Sequence, residues 1–303
     1  MDRVRTLCAL ATGTGRPAVV CRHLLVWLMV LLLPACSALQ FGYNQAPLLG
    51  YWWMDSQLSL RDSQSDRVRE ALQQLQQWHR NQELLVYAAL LQQLQGMSPR
   101  PVDGAQVCAV WTQVGEGLDR SMAQAARLAA PLALQLQPEQ LRHLAMHWDA
   151  QNADWDKEWL RGQPQERIER RLDKAMSRYR DFYGSLSEAQ TALLRQQIQQ
   201  SLWTPEWGRQ ERLRRQQNLL ATLQRLQLAG TSAAQAEAAL QTVWQQWLQP
   251  PSGPEQQRYK RWVAQACDDL AELHNSTSTE QRQRATQRLR AYEKDLRELA
   301  GRS

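Results

Sequence analysis

His143 and His147 stand four residues apart in the run Leu141-Arg-His-Leu-Ala-Met-His-Trp-Asp149. On a helix that spacing puts both imidazoles on one face, which is how a helical zinc site begins. The residues between them are Leu144, Ala145 and Met146, so the general-base glutamate of an HExxH site is missing. A third ligand would have to come from Asp149, Asp154 or a distant helix. Without one, the pair reads as two polar residues flanking a buried stripe, and His143 and His147 stay candidate metal ligands only. His79 and Glu83 share the spacing and pair a base with a carboxylate, an arrangement that is more commonly a helix-face contact. Asp154-Trp-Asp-Lys-Glu158 gathers acids, but a calcium loop needs glycine and regularly spaced oxygens, so a solvated helix face is expected. GxSxG, P-loop and GxGxxG patterns are absent from the sequence. No enzymatic activity and no cofactor are expected.

The elements that would position these residues are helices. Strand signals, meaning β-branched runs of alternating polarity, are nearly absent. Between Ser65 and Gln95 there is no Gly or Pro, and Val68, Leu72, Leu75, Trp78, Leu85 and Ala89 recur at three- and four-residue steps. That spacing predicts one long amphipathic helix. Further helices are expected over 104–130, interrupted by Gly115 and Gly117, then over 138–160 and through Ile168–Phe182 to a stop at Gly184. The remainder are expected near 188–202, 206–229, 232–248, 255–274 and 279–300. The fold class is all-α, a multi-helix bundle of long amphipathic helices joined by short connections.

The amino end has a different character. Leu24–Leu33 is an unbroken apolar run preceded by Arg3, Arg5, Arg16 and Arg22. A bilayer-spanning helix needs about 20 apolar residues, whereas a run this short suits the core of a secretory signal peptide. Leu33-Pro34-Ala35-Cys36 resembles the lipobox of bacterial lipoproteins. The resemblance implies cleavage after residue 35 and acylation of Cys36, which would anchor the chain in the membrane with several acyl chains. Ser37, in place of the Asp that retains such proteins at the inner membrane, implies the outer membrane with the chain facing the periplasm. Residues 36–64 are read as a lipidated tether ending in an aromatic docking segment, Tyr51-Trp52-Trp53, and 65–303 as an all-helical domain. The net charge is +6, and half of it leaves with residues 1–35. The remainder has no Lys/Arg block of the kind nucleic-acid binding requires. Twelve Trp against two Phe is an odd aromatic balance for what remains. Cys108 and Cys267 are the thiols left after cleavage and lipidation, and in an oxidising compartment they form either one disulfide or two separate buried thiols.

A pentad recurs along the chain. It reads Leu60-Arg-Asp-Ser-Gln64, Leu136-Gln-Pro-Glu-Gln140 and Leu186-Ser-Glu-Ala-Gln190, with a degenerate copy Thr277-Ser-Thr-Glu-Gln281. In the third copy Ser187 can cap a helix while Gln190 bonds back to the cap's own N–H. In the second, Pro138 takes the favoured first helical position. All four therefore read as helix starts. The pentad also resembles the LTxxQ motif of the Spy and CpxP type of periplasmic helical proteins, which implies that Leu60, Gln64, Leu136, Gln140, Leu186 and Gln190 belong to a partner-binding surface. The spacing of the copies suggests a duplicated helical unit with halves 65–184 and 185–303. Tyr43-Asn44 with Trp52-Trp53 and Asp55, Trp78-His79-Arg80 with Glu83-Leu84, Tyr183-Gly184, and the final run Leu273–Ala300 are together similar to a family of proteobacterial lipoproteins known only as a domain of unknown function. That resemblance implies a lipoprotein with a helical fold and no particular activity. The expected role is binding of unfolded or envelope proteins, as a chaperone-like or envelope-stress factor. The alternative is a structural adaptor docking an envelope complex or peptidoglycan.

Overall fold

Helix starts along this chain are set by side chains that satisfy the first, otherwise unpaired, backbone N–H groups. Asp103, Ser187, Thr204, Ser232 and Ser278 each accept a bond from the backbone N–H three residues on. Pro138, Pro164, Pro205 and Pro254 open helices at a position where no N–H is needed. The computed structural model describes residues 38–301. The signal peptide expected over 1–35 and the lipidated Cys36 lie outside them. The chain clusters into two compact units, Met1–Tyr43 and Asn44–Ser303. Only the opening of the first helix is described for the former, and the contacts below are those of the latter.

Eleven helices and no strand occur among the described residues. They are α1 (Ala38–Leu58), α2 (Asp62–Gln82), α3 (Leu84–Met97), α4 (Gly104–Ala133), α5 (Pro138–Trp159), α6 (Pro164–Tyr183), α7 (Glu188–Gln200), α8 (Pro205–Leu226), α9 (Ala233–Leu248), α10 (Pro254–Asn275) and α11 (Thr279–Ala300). The long α4 is the axis, packing on α2, α3, α9 and α10. Helix α11 lies along α3 and α6, and α8 packs between α5 and α9. The all-α expectation holds. None of the described helices is long and apolar enough to cross a membrane. Residues 44–303 form one unit, so the halves 65–184 and 185–303 are not separate bodies: α3 packs on α11, and Cys108 of α4 is disulfide-bonded to Cys267 of α10.

Three local expectations need correction. The tether over 36–64 is helical from Ala38 to Leu58, with Pro47 inside the helix. Gly50 suits this helix because it lies against the Leu72 side chain, 3.4 Å from where a Cβ would stand. Tyr51 docks into a cluster with Val68 and Leu132, while Trp52 and Trp53 stay more than 60% exposed, at 61% and 64%. The single helix expected over 65–95 is two, divided at Glu83, whose φ of −105° departs from helical geometry. Glu83 is buried there and accepts two 2.8 Å bonds from Arg120 Nε and Nη2. Gly117 does not interrupt α4. A Cβ on it would come within 2.6 Å of the Tyr87 hydroxyl, so the missing side chain is the seat for that ring.

Candidate functional site

Helix α8 carries Trp207, Gly208, Glu211, Arg212, Arg215 and Gln216 on one face, at successive steps of one and three residues. That face forms the floor of a cleft of about 400 Å³. Trp148, Gln151 and Trp155 of α5, again at three- and four-residue steps, form one wall. Tyr259 and Trp262 of α10 with Trp247 of α9 form the opposite wall, and Trp203 and Trp53 close the ends. Seven Trp and one Tyr from six segments of the chain thus converge on one concavity.

Local packing explains why the rings stand where they do. Trp207 is buried, edge-on to Trp262 at 5.8 Å, and its indole N–H donates to Glu255 Oε2 at 3.0 Å. Trp203 lies against Gly208, where a Cβ would come within 2.8 Å of the ring. A glycine in mid-helix costs stability, and here it lets the indole lie flat on α8. Trp203 also meets Trp159 edge-on at 6.4 Å and takes the Arg171 guanidinium on its face at 5.0 Å.

The polar floor is ordered by internal bonds. Asn152 and Gln216 bond reciprocally, at 2.8 and 3.3 Å, and Arg212 Nε donates to Asn152 Oδ1 at 2.6 Å. Glu211 is the one carboxylate lining the cleft, and Arg214 donates three bonds to it at 2.7–3.0 Å. A second carboxylate of the kind that cleaves glycosides is not among the lining residues. Burial lowers the pKa of both Arg212 and Arg215, with Glu211 opposing the shift at Arg215. The Arg215 Nε has no hydrogen-bond partner and lies 3.9 Å from Glu211. The cleft therefore offers flat aromatic faces, fixed amides and a guanidinium with spare donor capacity.

The pentads lie elsewhere, and Leu60, Gln64, Leu136, Gln140, Leu186 and Gln190, expected on a partner-binding surface, make contacts within the chain. Gln64 and Gln140 form a reciprocal amide pair, with Nε2–Oε1 distances of 3.2 and 2.9 Å. Gln190 and Gln281 repeat it at 2.8 and 3.0 Å. Each Oε1 also accepts its own cap's N–H, from Arg61, Gln137, Ser187 and Ser278 respectively. Each Nε2 also reaches the backbone carbonyl five residues ahead of its partner glutamine, at Gln135, Ser59, Ser276 and Ser185. The leucines fill core clusters: Leu60 beside Tyr51, Leu136 beside Ala133, Leu186 beside Leu172. Gln64, Leu136, Gln140 and Gln190 are buried, and Leu60 and Leu186 partly so. The motif's work is to clamp helix starts together in pairs.

His143 and His147 stack with ring centroids 6.4 Å apart, and His143 Nε2 contacts Ser56 O at 3.2 Å. No group of three or more His, Cys, Asp or Glu side chains suited to a metal gathers among the described residues. Glu83, proposed beside His79, is instead committed to Arg120. The tryptophan cleft itself escaped sequence reasoning. Its one signal was the excess of Trp over Phe, together with the spacing of Trp148 to Trp155 and of Trp203 to Trp207.

The model of a family described as a family of unknown function, DUF6279, matches residues 56–249. No curated protein and no solved structure matches the chain.

Proposed function

The chain belongs to DUF6279, and from that premise we propose that it is a lipid-anchored, periplasm-facing binding protein of the bacterial envelope that holds cell-wall glycan in its tryptophan cleft. The observation that carries the reading is the convergence of seven Trp and one Tyr over a polar floor. A pyranose presents weakly positive C–H groups on its faces and hydroxyls at its edge. Aromatic faces carry the complementary negative potential, and the Gln151, Gln216 and Arg212 side chains are donors and acceptors for hydroxyls. Arg215 suits the carboxylates that wall glycan bears. Glu211 is engaged by Arg214, which favours retention of a glycan over its cleavage. An anchor at Cys36 would keep the cleft within reach of the wall.

The test is co-sedimentation with purified peptidoglycan, followed by titration of Trp fluorescence with a soluble muropeptide. Trp155→Ala and Trp262→Ala are each expected to weaken binding about tenfold, the equivalent of roughly 1.4 kcal/mol. A protein that stays in the supernatant, or variants that bind as well as the parent, would sink the reading. The anchor is tested separately by metabolic labelling with palmitate, which Cys36→Ser should abolish.

A second reading, a chaperone-like factor for unfolded envelope proteins, is favoured by exposed Met146, Trp52 and Leu49. It requires suppression of light scattering from an aggregating client at near-stoichiometric ratios, and loss of that suppression when Met146 and Trp52 are made polar.

A further inference from the structure

A second concavity, independent of the tryptophan cleft, opens among α3, α4, α6, α10 and α11. It has a volume of about 500 Å³, within the range of sites that take one small molecule. Its lining is overwhelmingly apolar, with Val107 and Val110 from α4, Phe182 from α6, Leu270 from α10 and Leu289 from α11. The disulfide Cys108–Cys267 ties the α4 and α10 walls together beside these residues.

Most polar groups on the walls are already used. Ser98 Oγ donates to Arg282 O, and His274 bridges the Tyr183 hydroxyl and Arg100 O at 3.0 Å each. Two are not. Arg178 lines the cavity, is exposed, and makes no ion pair or hydrogen bond among the described residues. The neighbouring Tyr179 also lines it, and its hydroxyl makes no hydrogen bond among the described residues. Burial raises the pKa of Tyr179, so its hydroxyl stays a proton donor at neutral pH. An apolar chamber with a lone cation and a lone donor at its edge is complementary to a molecule with one anionic head and one apolar tail.

We propose that this cavity binds a long-chain fatty acid, its carboxylate held by Arg178 and the Tyr179 hydroxyl and its chain lying among Val107, Val110, Phe182 and Leu289. A neutral amphiphile would leave the guanidinium without a counter-charge.

The probe is a palmitic acid analogue carrying a diazirine on its chain, photolysed with the purified full chain and mapped by peptide mass spectrometry. Adducts are expected on the segments around Val107–Val110 and Tyr179–Tyr183, displaced by excess palmitate. Arg178→Gln, an exposed position that leaves the fold intact, should reduce labelling at least tenfold, while a probe with an alcohol head should be insensitive to that change. Val110→Trp should fill the chamber and abolish labelling, with melting followed by circular dichroism to show that the variant folds. Adducts scattered over the surface, or acid and alcohol probes that label alike in parent and Arg178→Gln, would overturn the assignment. So would labelling that appears only in Cys36→Ser, which would make the chamber a seat for the chain's own acyl group.

Discussion

Replacing Gln190 by Leu tests the clamping role of the pentads most directly. The change strips an acceptor from the Ser187 N–H and from Gln281 Nε2, a donor from Gln281 Oε1 and a donor from the Ser276 carbonyl. Gln190 is only 4% exposed, so water does not replace these partners. At about 1 kcal/mol per lost bond, and more where a group is left buried, the loss is about 4 kcal/mol, reduced to about 3 kcal/mol by the apolar surface that Leu adds. Gln235 provides the control. It makes the same bond to its own cap, Ser232 N–H, at 2.8 Å, but is exposed and pairs with no second glutamine. Gln235→Leu should therefore cost under about 1 kcal/mol. Urea unfolding of both variants, of Gln281→Leu and of the Gln190/Gln281 double variant gives a complete cycle, with an expected coupling of about 1 kcal/mol or more. A Gln190→Leu cost no larger than that of Gln235→Leu, or a coupling within about 0.3 kcal/mol of zero, refutes the clamp.

Reduction of Cys108–Cys267 should lower stability by about 2–5 kcal/mol, read as a fall in melting temperature without loss of helical signal at 20 °C. Gly208→Ala should push Trp203 off α8, changing tryptophan emission and weakening cleft binding while global stability shifts little. Gly117→Ala should displace the far end of the Tyr87 side chain from α4, read as a change in tyrosine absorbance. Burial, with help from Glu272 and Asp268, raises the Asp269 pKa from 3.8 to about 6. A raised acid favours the folded state below its unfolded pKa, and that contribution disappears as pH rises through about 6. Stability should therefore fall between about pH 4 and 6, and Asp269→Asn should flatten that slope and gain stability at pH 7. A slope that survives in Asp269→Asn assigns it to another group.

Much of the fold was legible from local signals. Gly184, with φ of 79°, ends α6 where the periodic run Ile168–Phe182 predicts a stop, and Gly230 and Pro250 bracket α9. Helix termini are decided by a handful of neighbouring residues, which is why Ser187 and Pro138 could be read as starts. The division at Glu83 was not legible, because it accompanies a bond to Arg120, 37 residues away. Gly117 misled for a related reason: a glycine that breaks an isolated helix can equally seat a neighbour, and only the neighbour decides. The pentads were visible as a repeat, but which copy meets which depends on packing; the first pairs with the second, and the third with the fourth. The cleft was least legible. Its rings are spread from Trp53 to Trp262, each amphipathic stripe looked like ordinary core, and their convergence is a property of helix angles that no single stripe records.

The two glutamine pairs also divide the chain by loop. Gln64 and Gln140 close a segment of 76 residues, and Gln190 and Gln281 one of 91. Cys108 lies inside the first closed segment and Cys267 inside the second, and the bond between them spans 159 positions. The covalent link therefore joins loop to loop. Neither loop can open at its amide clamp and drift away, because it stays tethered to the other through its interior. Fraying at one pair of helix starts becomes a small, reversible excursion that recloses against a nearby partner, since the entropy of bringing the loop ends back together has already been reduced. Amide hydrogen exchange at the starts of α2, α5, α7 and α11 should accelerate together within each pair on reduction. The single unit Asn44–Ser303 would then show two local opening units whose boundaries are set by its glutamines.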